Sequence, residues 1–416
     1  MKFSQNNFLN KNYSTLVLIF VLFIPVYFYL NNFAPVSSPF VRGIKDIILV
    51  ILFISGLFFV KSKRKLNTDI LLLLLLFLYI IFNAFLISGL TSVTFFALRS
   101  YLILPILNLY IFMKLKDTEI TKVYSMYIYS ASILAAIHLI QIYLFKDFLV
   151  LNAISDTYTK GSFFTRPASF VNNPNTLAYM NMVAIIISVI LKKGRFLIPL
   201  LFVSTLLTGC RSAVLLGPFA IIITMYVKNK INIINIIFAT LLLVVGGGSL
   251  NKYFPVIYER FISLLYNGDP RLVMWQSVIT YLSDNSLLSL LFGLGIGNIG
   301  SYGPHVNAIP VYIPGICDLE GLAYVDNYYL MIMVELGLIF LISFSTYFTL
   351  CLSKAVTLIG KGELYRCNFG VTIFIFLISF FADTINSFPI NFFFYGFIVL
   401  ISSKENAFLI EKKCDS

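Results

Sequence analysis

The feature that most constrains this chain is a series of long apolar runs. Each extends over roughly 18 to 22 residues, and about 20 helical residues cross the hydrocarbon core of a bilayer. Runs such as Ile70–Phe82 lack the alternation of apolar and polar residues that a membrane β-barrel requires. Hydrophobic residues make up 59% of the 416-residue chain and charged residues only 12%. The sequence therefore predicts an all-α polytopic membrane protein.

We predict about twelve transmembrane helices, because backbone groups in the bilayer core find no water and must bond within helices. The first run, Leu16–Leu30, has a long apolar core and no clear small-residue cleavage site, which favours an uncleaved helix over a signal sequence. The seventh run is short. The predicted spans are 13–30, 43–60, 69–89, 92–113, 122–145, 174–191, 196–209, 212–227, 231–248, 326–350, 367–386 and 390–403.

The basic residues predict how these helices are oriented. The formal net charge is +12, from 30 Lys and Arg against 18 Asp and Glu. With the N terminus in the cytoplasm, every predicted inside loop carries basic residues, as in Lys61–Lys65, and no outside connection has a comparable cluster. Basic residues placed in this way set membrane orientation, which argues against a nucleic-acid-binding protein. Both termini are predicted to be cytoplasmic.

Two predicted outside segments are long, 146–173 and 249–325. Loops of this length tend to carry function. We predict one integral membrane domain over residues 1–416, with 249–325 inserted between the ninth and tenth spans. The apolar stretch Leu287–Ile296 is too short to span and is predicted to lie in the membrane interface. The five cysteines are scattered without a CxxC pair, so neither a metal site nor a disulfide framework is predicted.

Arginine residues gather on the predicted outer side. Arg99 lies inside the apolar segment Phe95–Tyr110, and Arg211 lies in the turn Thr208-Gly-Cys-Arg-Ser212 between two apolar helices. Arginine stays charged, and its planar guanidinium group matches phosphate with two parallel hydrogen bonds. Such residues could hold an anionic headgroup or a lipid diphosphate. Anchoring at the interface and pairing with acidic residues are the alternatives. The outer set is Arg99, Arg166, Arg211, Arg260 and Arg271.

Two predicted helix starts on the outer side carry polar residues. Asn173 and Asn175 flank a proline where an apolar helix begins, which is sound capping chemistry. The same helix start could offer N–H groups and a partial positive charge to an anion. Asp326 and Asn327 precede a later apolar helix. Asp326 is either an N-cap or a general base that takes the proton of a hydroxyl group.

The longer outside segment contains an Arg–Trp pair and a glycine-rich run. Arg271 and Trp275 are four residues apart and share a face if helical, either as a cation–π pair or with Trp275 stacking on a sugar. The run Gly293–Gly300 contains GxGxxG, but a dinucleotide site also needs a βαβ unit. We therefore predict that these glycines permit close packing. Glu335 is predicted to be structural, and His138 to be a core histidine.

Four blocks in a fixed order carry a resemblance to a known family. The blocks are Asn-Pro-Asn at 173–175, Thr-Gly-Cys-Arg-Ser-Ala at 208–213, Arg271-x-x-x-Trp275 followed by Gly-x-Gly-x-Gly at 293–297, and Asp326-Asn-x-Tyr-Leu followed by Glu335-x-Gly337. Together, over residues 165–340, they resemble the superfamily of O-antigen ligases and Wzy-type O-antigen or capsule polymerases. The N-terminal third of the chain resembles that family only in its helices.

The resemblance implies a glycosyltransferase C-like protein of the bacterial inner (plasma) membrane with a periplasmic active site. Such proteins join sugars carried on undecaprenyl diphosphate and use no nucleotide sugar, metal or other cofactor. It implies that Arg211 and Arg271 hold the diphosphate and that Asp326 is the catalytic base. The implied partners are the lipid-linked oligosaccharide, membrane lipid and a polysaccharide chain-length regulator. The expected substrate-binding residues are Arg99, Arg166, Asn173, Asn175, Arg260, Trp275 and Asn327.

Three alternatives to a polymerase remain open from the sequence. A ligase would transfer finished glycan to the lipid A core, but ligases usually have His where this chain has Asp326. A lipid-linked oligosaccharide flippase would suit twelve helices equally well. Transporters often show repeated halves and central charges, whereas here the charges gather on one face and no repeat is visible. A structural partner of an export complex would leave the four ordered blocks unexplained.

Overall fold

Helices account for nearly all of the described chain. The computed structural model describes residues 2–33, 39–59, 64–66, 70–89, 91–144, 169–171, 173–227, 270–299 and 327–405. We number the elements in chain order. They are α1 (Lys2–Leu22), α2 (Ile24–Phe33), α3 (Pro39–Phe59), β1 (Arg64–Leu66), α4 (Ile70–Asn83), α5 (Ser92–Leu98), α6 (Leu104–Met113), α7 (Asp117–Leu144), α8 (Pro174–Leu191), α9 (Ile198–Leu207), α10 (Arg211–Tyr226), α11 (Pro270–Asp284), α12 (Leu287–Phe292), α13 (Tyr328–Leu358), α14 (Glu363–Ile378), α15 (Ile390–Ser402) and β2 (Ser403–Glu405).

Short helical segments of other types extend or join these helices. Two π-helical turns, Ala84–Ser88 and Arg99–Ile103, follow α4 and α5 directly. Turns of 3₁₀ helix lie at Ser169–Val171, Arg195–Leu197 and Ile359–Lys361. The π-helix is rare and occurs mostly as a single turn, frequently at functional sites. Both π-helical turns border the polar site described below.

The helices agree with a protein embedded in a membrane. Five described segments are long and apolar enough to cross a bilayer, and a sixth is added if α1 and α2, bent by 45° at Phe23, form one span. In α4, Leu71, Leu74, Leu75 and Leu78 are each at least half exposed and form one stripe. Such a stripe is stable against lipid. The five segments are Ile70–Ser88, Ser92–Met113, Asp117–Ile142, Pro174–Leu191 and Tyr328–Lys361.

The predicted spans that fall on described residues each coincide with helix, but their ends differ. The helix α13 continues to Leu358, beyond the predicted end at 350, and the end of the span 367–386 is wrong. The predicted span 367–386 ends early, because α14 stops at Ile378 and residues 379–389 form a series of turns. The residues Asp383, Asn386 and Ser387 favour turns through side-chain hydrogen bonds to the local backbone. The Ser387 hydroxyl donates such a bond to the Asp383 carbonyl at 2.5 Å. The ninth predicted span, 231–248, lies outside the described residues, and the count of twelve stays a prediction.

The described residues group into two compact units. The first unit comprises Met1–Lys61, Leu115–Asn267 and Leu358–Phe374. Its central helix is α8, which packs against α7, α9 and α10. In this unit, α10 approaches α8 closely at a glycine, since a Cβ atom on Gly217 would lie 2.1 Å from the Met182 sulfur.

The second unit comprises Ser62–Lys114, Gly268–Thr357 and Ile375–Ser416. Every residue of α15 is buried, as expected for a helix that is apolar on all sides. The α6 helix packs against α15, with the Phe112 and Phe392 ring centroids 4.7 Å apart. After α15, β2 pairs antiparallel with β1, and Lys65 lies opposite Lys404. This short pair is the only sheet among the described residues.

Candidate functional site

A tightly built polar site lies in the second unit, where residues Gly293–Ile299 cross a break in α13. We call this segment the glycine loop. The break is at Gly337, whose φ of 83° and ψ of 172° are not helical. Within the loop, the Leu294 N–H donates to the Val334 carbonyl at 2.7 Å, and the Gly295 N–H donates to the Glu335 carbonyl at 3.1 Å. The break in α13 therefore exposes carbonyl groups that the glycine loop satisfies.

Two glycines make this backbone contact possible. A Cβ atom on Gly293 would lie 2.3 Å from the Glu335 carbonyl oxygen, and one on Gly337 would lie 2.3 Å from the Leu291 carbonyl oxygen. Both glycines also have positive φ values, which other residues rarely adopt. The structure thus confirms the prediction that the glycine-rich run permits close packing. The interfacial placement of Leu287–Ile296 stays a prediction, since Leu287 and Leu288 are exposed whereas Ile296 is 1% exposed within the unit.

Asn83, the last residue of α4, bonds to both partners of this contact. Its side-chain N–H groups donate to the Phe292 carbonyl at 2.9 Å and to the Glu335 carbonyl at 3.3 Å. Its side-chain oxygen accepts from the Ile296 N–H at 2.9 Å. One turn earlier, the Tyr79 hydroxyl donates to the Leu336 carbonyl at 2.8 Å. The α4 helix therefore contributes two polar side chains that join the glycine loop to α13.

The Glu335 side chain lies inside this site and is fully buried. Its Oε1 atom accepts a hydrogen bond from the Ile299 N–H, at the end of the glycine loop, at 3.1 Å. The Tyr101 side chain, the Gly297 N–H and the Asp383 carboxyl group also act on this carboxyl group electrostatically. A buried carboxyl group costs free energy unless hydrogen bonds compensate it. Glu335 is therefore bound to the loop by both its main chain and its side chain.

The α11 helix is seated on the same contact through apolar side chains. Val278 and Leu282 of α11 form a buried cluster with Ile299 of the glycine loop and Val334 of α13. One turn nearer the start of α11, the centroids of the Trp275 and Phe381 rings are 6.2 Å apart. Arg271 is in the first turn of α11, so the expected four-residue spacing on one helix is observed.

The start of α13 is capped by Asn327. The Asn327 side-chain oxygen accepts hydrogen bonds from the Tyr329 and Leu330 N–H groups at 3.0 and 3.1 Å. The Tyr329 hydroxyl donates to the Phe376 carbonyl at 3.0 Å and holds this end of the helix against α14. Because Asn327 makes the capping bonds, the N-cap alternative for Asp326 is not needed, although Asp326 itself lies outside the described residues.

Arg99 lies in the second unit and begins the π-helical turn Arg99–Ile103. Its side chain is half-buried, and two residues later Tyr101 is almost completely buried and acts on Glu335. Charge inside an apolar span is costly and usually has a reason. Arg99 therefore begins the π-helical turn that also carries Tyr101, the residue of this turn that acts on Glu335.

In the first unit, Asn173 caps α8. Its side-chain oxygen accepts from the Asn175 and Thr176 N–H groups at 2.9 and 3.1 Å, and Pro174 occupies the first helical position. These bonds use the N–H groups that an anion would need. The capping alternative is therefore the one that the geometry of Asn173 shows.

Arg211 begins α10, at the tight turn predicted from the sequence. Gly209 has a φ of 65°, and the Thr208 hydroxyl accepts from the Cys210 N–H at 3.2 Å. Unlike Asn173, Cys210 makes no side-chain capping bond to its helix in the described chain. The Ser212 and Tyr179 hydroxyls are 3.4 Å apart. The second turn of α8 and the first turn of α10 are therefore neighbours, and Arg211, next to Ser212 in the chain, is half-buried.

A buried polar cluster lies further inside the same unit. The His138 Nδ1 atom is 2.9 Å from the Ser204 hydroxyl, which also accepts from the Asn181 side-chain N–H at 3.0 Å. All three side chains are fully buried. His138 is therefore a hydrogen-bonded core histidine, as predicted.

Several predicted site residues are not described by the structure. Arg166, Arg260 and Asp326 lie outside the described residues, and only the backbone of Arg271 is described. Of the others, Arg211, Asn173 and Asn175 belong to the first unit, and Arg99, Trp275 and Asn327 belong to the second. Sequence reasoning overlooked Asn83, although an asparagine inside an apolar span is itself a signal of a polar contact.

The comparisons with known proteins add no relative. No protein-family model matches the chain, and no curated protein matches its sequence significantly. The function is therefore inferred from the residues and their geometry.

Proposed function

We propose that this protein polymerises undecaprenyl-diphosphate-linked oligosaccharide repeat units, of an O-antigen or a capsule, by glycosyl transfer at the periplasmic face of a bacterial inner membrane. Support comes from the four ordered sequence blocks and from the apolar helices. The observation that carries the proposal is Arg211, which begins α10 in a tight turn next to the second turn of α8. Twelve spans with cytoplasmic termini belong to the same proposal.

The start of α10 has the chemistry of a diphosphate site. The N terminus of a helix carries a partial positive charge, and its first N–H groups point at a bound anion. The side chain of the cap residue Cys210 contacts the Ser212 hydroxyl at 3.5 Å but makes no capping bond to the backbone N–H groups of the described helix, whereas Asn173 occupies the equivalent groups of α8. The Arg211 guanidinium group adds a planar fork of donors that suits phosphate oxygens. We therefore place the lipid diphosphate at α10 rather than at α8.

In the proposed reaction, an acceptor hydroxyl oxygen forms a bond to the anomeric carbon of the donor sugar. The bond between that carbon and the diphosphate oxygen breaks, and undecaprenyl diphosphate leaves with the electron pair. Asp326 takes the hydroxyl proton, and Arg211 and Arg271 stabilise the negative charge that develops on the leaving group. Arg99, Arg166 and Arg260 supply further positive charge, and Trp275 offers an aromatic face to a sugar.

Glycan length in a strain that lacks the gene tests this proposal. A single repeat unit on the lipid core, restored to a long ladder by complementation, is the result that we expect. Bare core with polymer accumulating on the carrier lipid would identify a ligase. Loss of even the single unit, with lipid-linked repeat trapped on the cytoplasmic side, would identify a flippase and would overturn the catalytic assignments together.

Variants of Arg211, and of an arginine at the other end of the preceding helix α9, test the role of Arg211. Arg211→Ala and Arg211→Lys should each abolish long chains, because Lys lacks the bidentate fork. Arg195→Lys is the matched control: Arg195 is exposed and precedes the opposite end of α9, so its ladder should be normal. Arg271→Ala and Asp326→Ala should also stop polymerisation while the protein still accumulates in the membrane. Normal chains from Arg211→Lys would contradict the proposed contact with diphosphate.

A further inference from the structure

Glu335 joins three parts of the second unit. Its carbonyl oxygen accepts from the Gly295 N–H at 3.1 Å and from the Asn83 side chain at 3.3 Å, and its carboxyl group accepts from the Ile299 N–H at 3.1 Å. These bonds hold both halves of the glycine loop on α13. Of these three bonds, only the one to Ile299 depends on the side chain, and the Gly297 N–H and the Tyr101 side chain act on the same carboxyl group. The identity of residue 335 therefore controls how the end of the glycine loop is held.

The position of Ile299 affects α11. The Ile299 side chain packs with Val278 and Leu282 of α11 and with Val334 of α13, and it is 2% exposed. The glycine loop also follows α11 closely in the chain, after the short helix α12. A displaced Ile299 would therefore remove part of the surface on which α11 rests.

The two helices that meet there carry candidate site residues. Arg271 and Trp275 lie in the first turns of α11, and Asn327 caps α13 directly after Asp326. We infer that Glu335 is a positioning residue whose carboxyl group fixes the glycine loop and thereby sets where α11 lies against the start of α13. The effect on glycosyl transfer rests on the proposed function, whereas the placement of α11 does not.

Filling space in the core does not explain why residue 335 is a glutamate. Burying a carboxyl group costs free energy, and an apolar side chain of similar volume would often be as stable or more so. An apolar side chain would, however, leave the Ile299 N–H without its acceptor inside the protein. A buried N–H group that has no acceptor lowers the stability of the folded protein. The carboxyl group is therefore suited to holding the end of the glycine loop, at Gly297 and Ile299, in one place.

The chain has a single tryptophan, Trp275, which reports directly on α11. Its ring lies against Phe381, so displacement of α11 would change its surroundings. We would measure Trp275 emission and its quenching by acrylamide in the purified full-length protein. Glu335→Gln keeps an oxygen acceptor at the same reach, and Glu335→Met removes it at similar volume. Glu335→Asp keeps the carboxyl group but shortens the side chain by one methylene group. It replaces the Met variant in the comparison if the Met variant does not fold.

The inference predicts wild-type emission and quenching for Glu335→Gln. It predicts red-shifted emission and stronger quenching for Glu335→Met and Glu335→Asp. Tyr347→Phe is the control for loss of a buried polar group elsewhere in α13, beyond the break at Gly337, and it should leave Trp275 unchanged. In a polymerisation assay, the Met variant should lose turnover on the order of 100-fold, as misplacement of about 1 Å can do, with KM changed less. The Gln variant should retain turnover.

The two failures are distinguishable. If the wild-type protein transfers no glycan, the proposed function falls, and the Trp275 comparison still decides whether Glu335 positions α11. If Trp275 emission and quenching are unchanged in both the Met and the Asp variants, Glu335 does not position α11 and the inference is overturned, whatever the activity. Equal loss of turnover in the Gln and Met variants, with Trp275 unchanged in both, would overturn it as well.

Discussion

Replacing Gly337 by alanine should be among the most damaging single-atom additions to this chain. Gly337 has a φ of 83° and a ψ of 172°, a region that is essentially restricted to glycine. An added Cβ atom would also lie 2.3 Å from the Leu291 carbonyl oxygen and 2.6 Å from the Gly293 nitrogen. Both neighbours are backbone atoms, so neither can rotate away as a side chain would.

The magnitude follows from these two contributions. Holding a non-glycine residue in such a backbone conformation costs about 1–3 kcal/mol. Overpacking a close contact adds about 1–3 kcal/mol when the backbone has to shift. We therefore expect Gly337→Ala to lower the free energy of unfolding by about 2–6 kcal/mol, a large part of the stability of a typical protein.

Two other glycines separate the contributions. Gly89 has a φ of 68°, but an added Cβ atom would meet no described atom within 4 Å, so Gly89→Ala tests backbone strain without a clash. Gly360 has neither a positive φ nor a described neighbour within 4 Å, so Gly360→Ala should be close to neutral. Apparent melting temperatures of the detergent-solubilised proteins, measured at one scan rate, give the ranking.

The expected order of stability is Gly360→Ala, then Gly89→Ala, then Gly337→Ala. A Gly337→Ala protein as stable as Gly360→Ala would refute the close contact between α13 and the segment that enters the glycine loop. A Gly89→Ala protein as unstable as Gly337→Ala would mean that strain alone, and not the contact, controls stability.

Three further predictions concern the same architecture. Asn83→Leu should cost about 1–3 kcal/mol for each buried group that it leaves unsatisfied, including the Ile296 N–H, and the melting temperature should fall clearly below that of wild type. Asn173→Ala should lose about 1 kcal/mol, whereas Asn173→Ser keeps a cap and should retain both stability and chain length; loss of polymerisation in the Ser variant would indicate contact with substrate instead. If Lys65 and Lys404, which lie opposite each other in the β1–β2 pair, are both replaced by cysteine, the two thiols should form a disulfide on oxidation. In the reduced protein, the same thiols should react with an impermeant thiol reagent only from the cytoplasmic side.

The helices were predictable because their signal is local. A long apolar run such as Ile70–Phe82 must be helical in lipid, whatever it packs against. The turn at Arg211 and the cap at Asn173 were also readable, since glycine, proline and asparagine act on the residues beside them. The end of α14 was missed because the apolar residues around Phe380 extended the hydropathy signal across turn-forming residues.

The buried site of the second unit could not be derived in the same way. It depends on contacts between Asn83, the glycine loop and Glu335. Asn83 lies more than 200 residues before its two partners in the sequence. The sequence showed that Gly293 and Gly337 could adopt backbone conformations that other residues rarely adopt, but not that these two glycines are in contact. Glu335 was predicted to be structural from its depth in the helix, and its specific partner, the Ile299 N–H, became visible only in the fold.

The most direct test of the proposed function is reconstitution. The purified protein would be placed in lipid vesicles with undecaprenyl-diphosphate-linked oligosaccharide on the side that represents the periplasm, without nucleotide sugar or added metal. We predict a ladder of lengthening glycan with release of one undecaprenyl diphosphate per bond formed, and no ladder with the Arg211→Lys protein. Movement of the lipid-linked oligosaccharide across the bilayer without any change in its length would contradict the account.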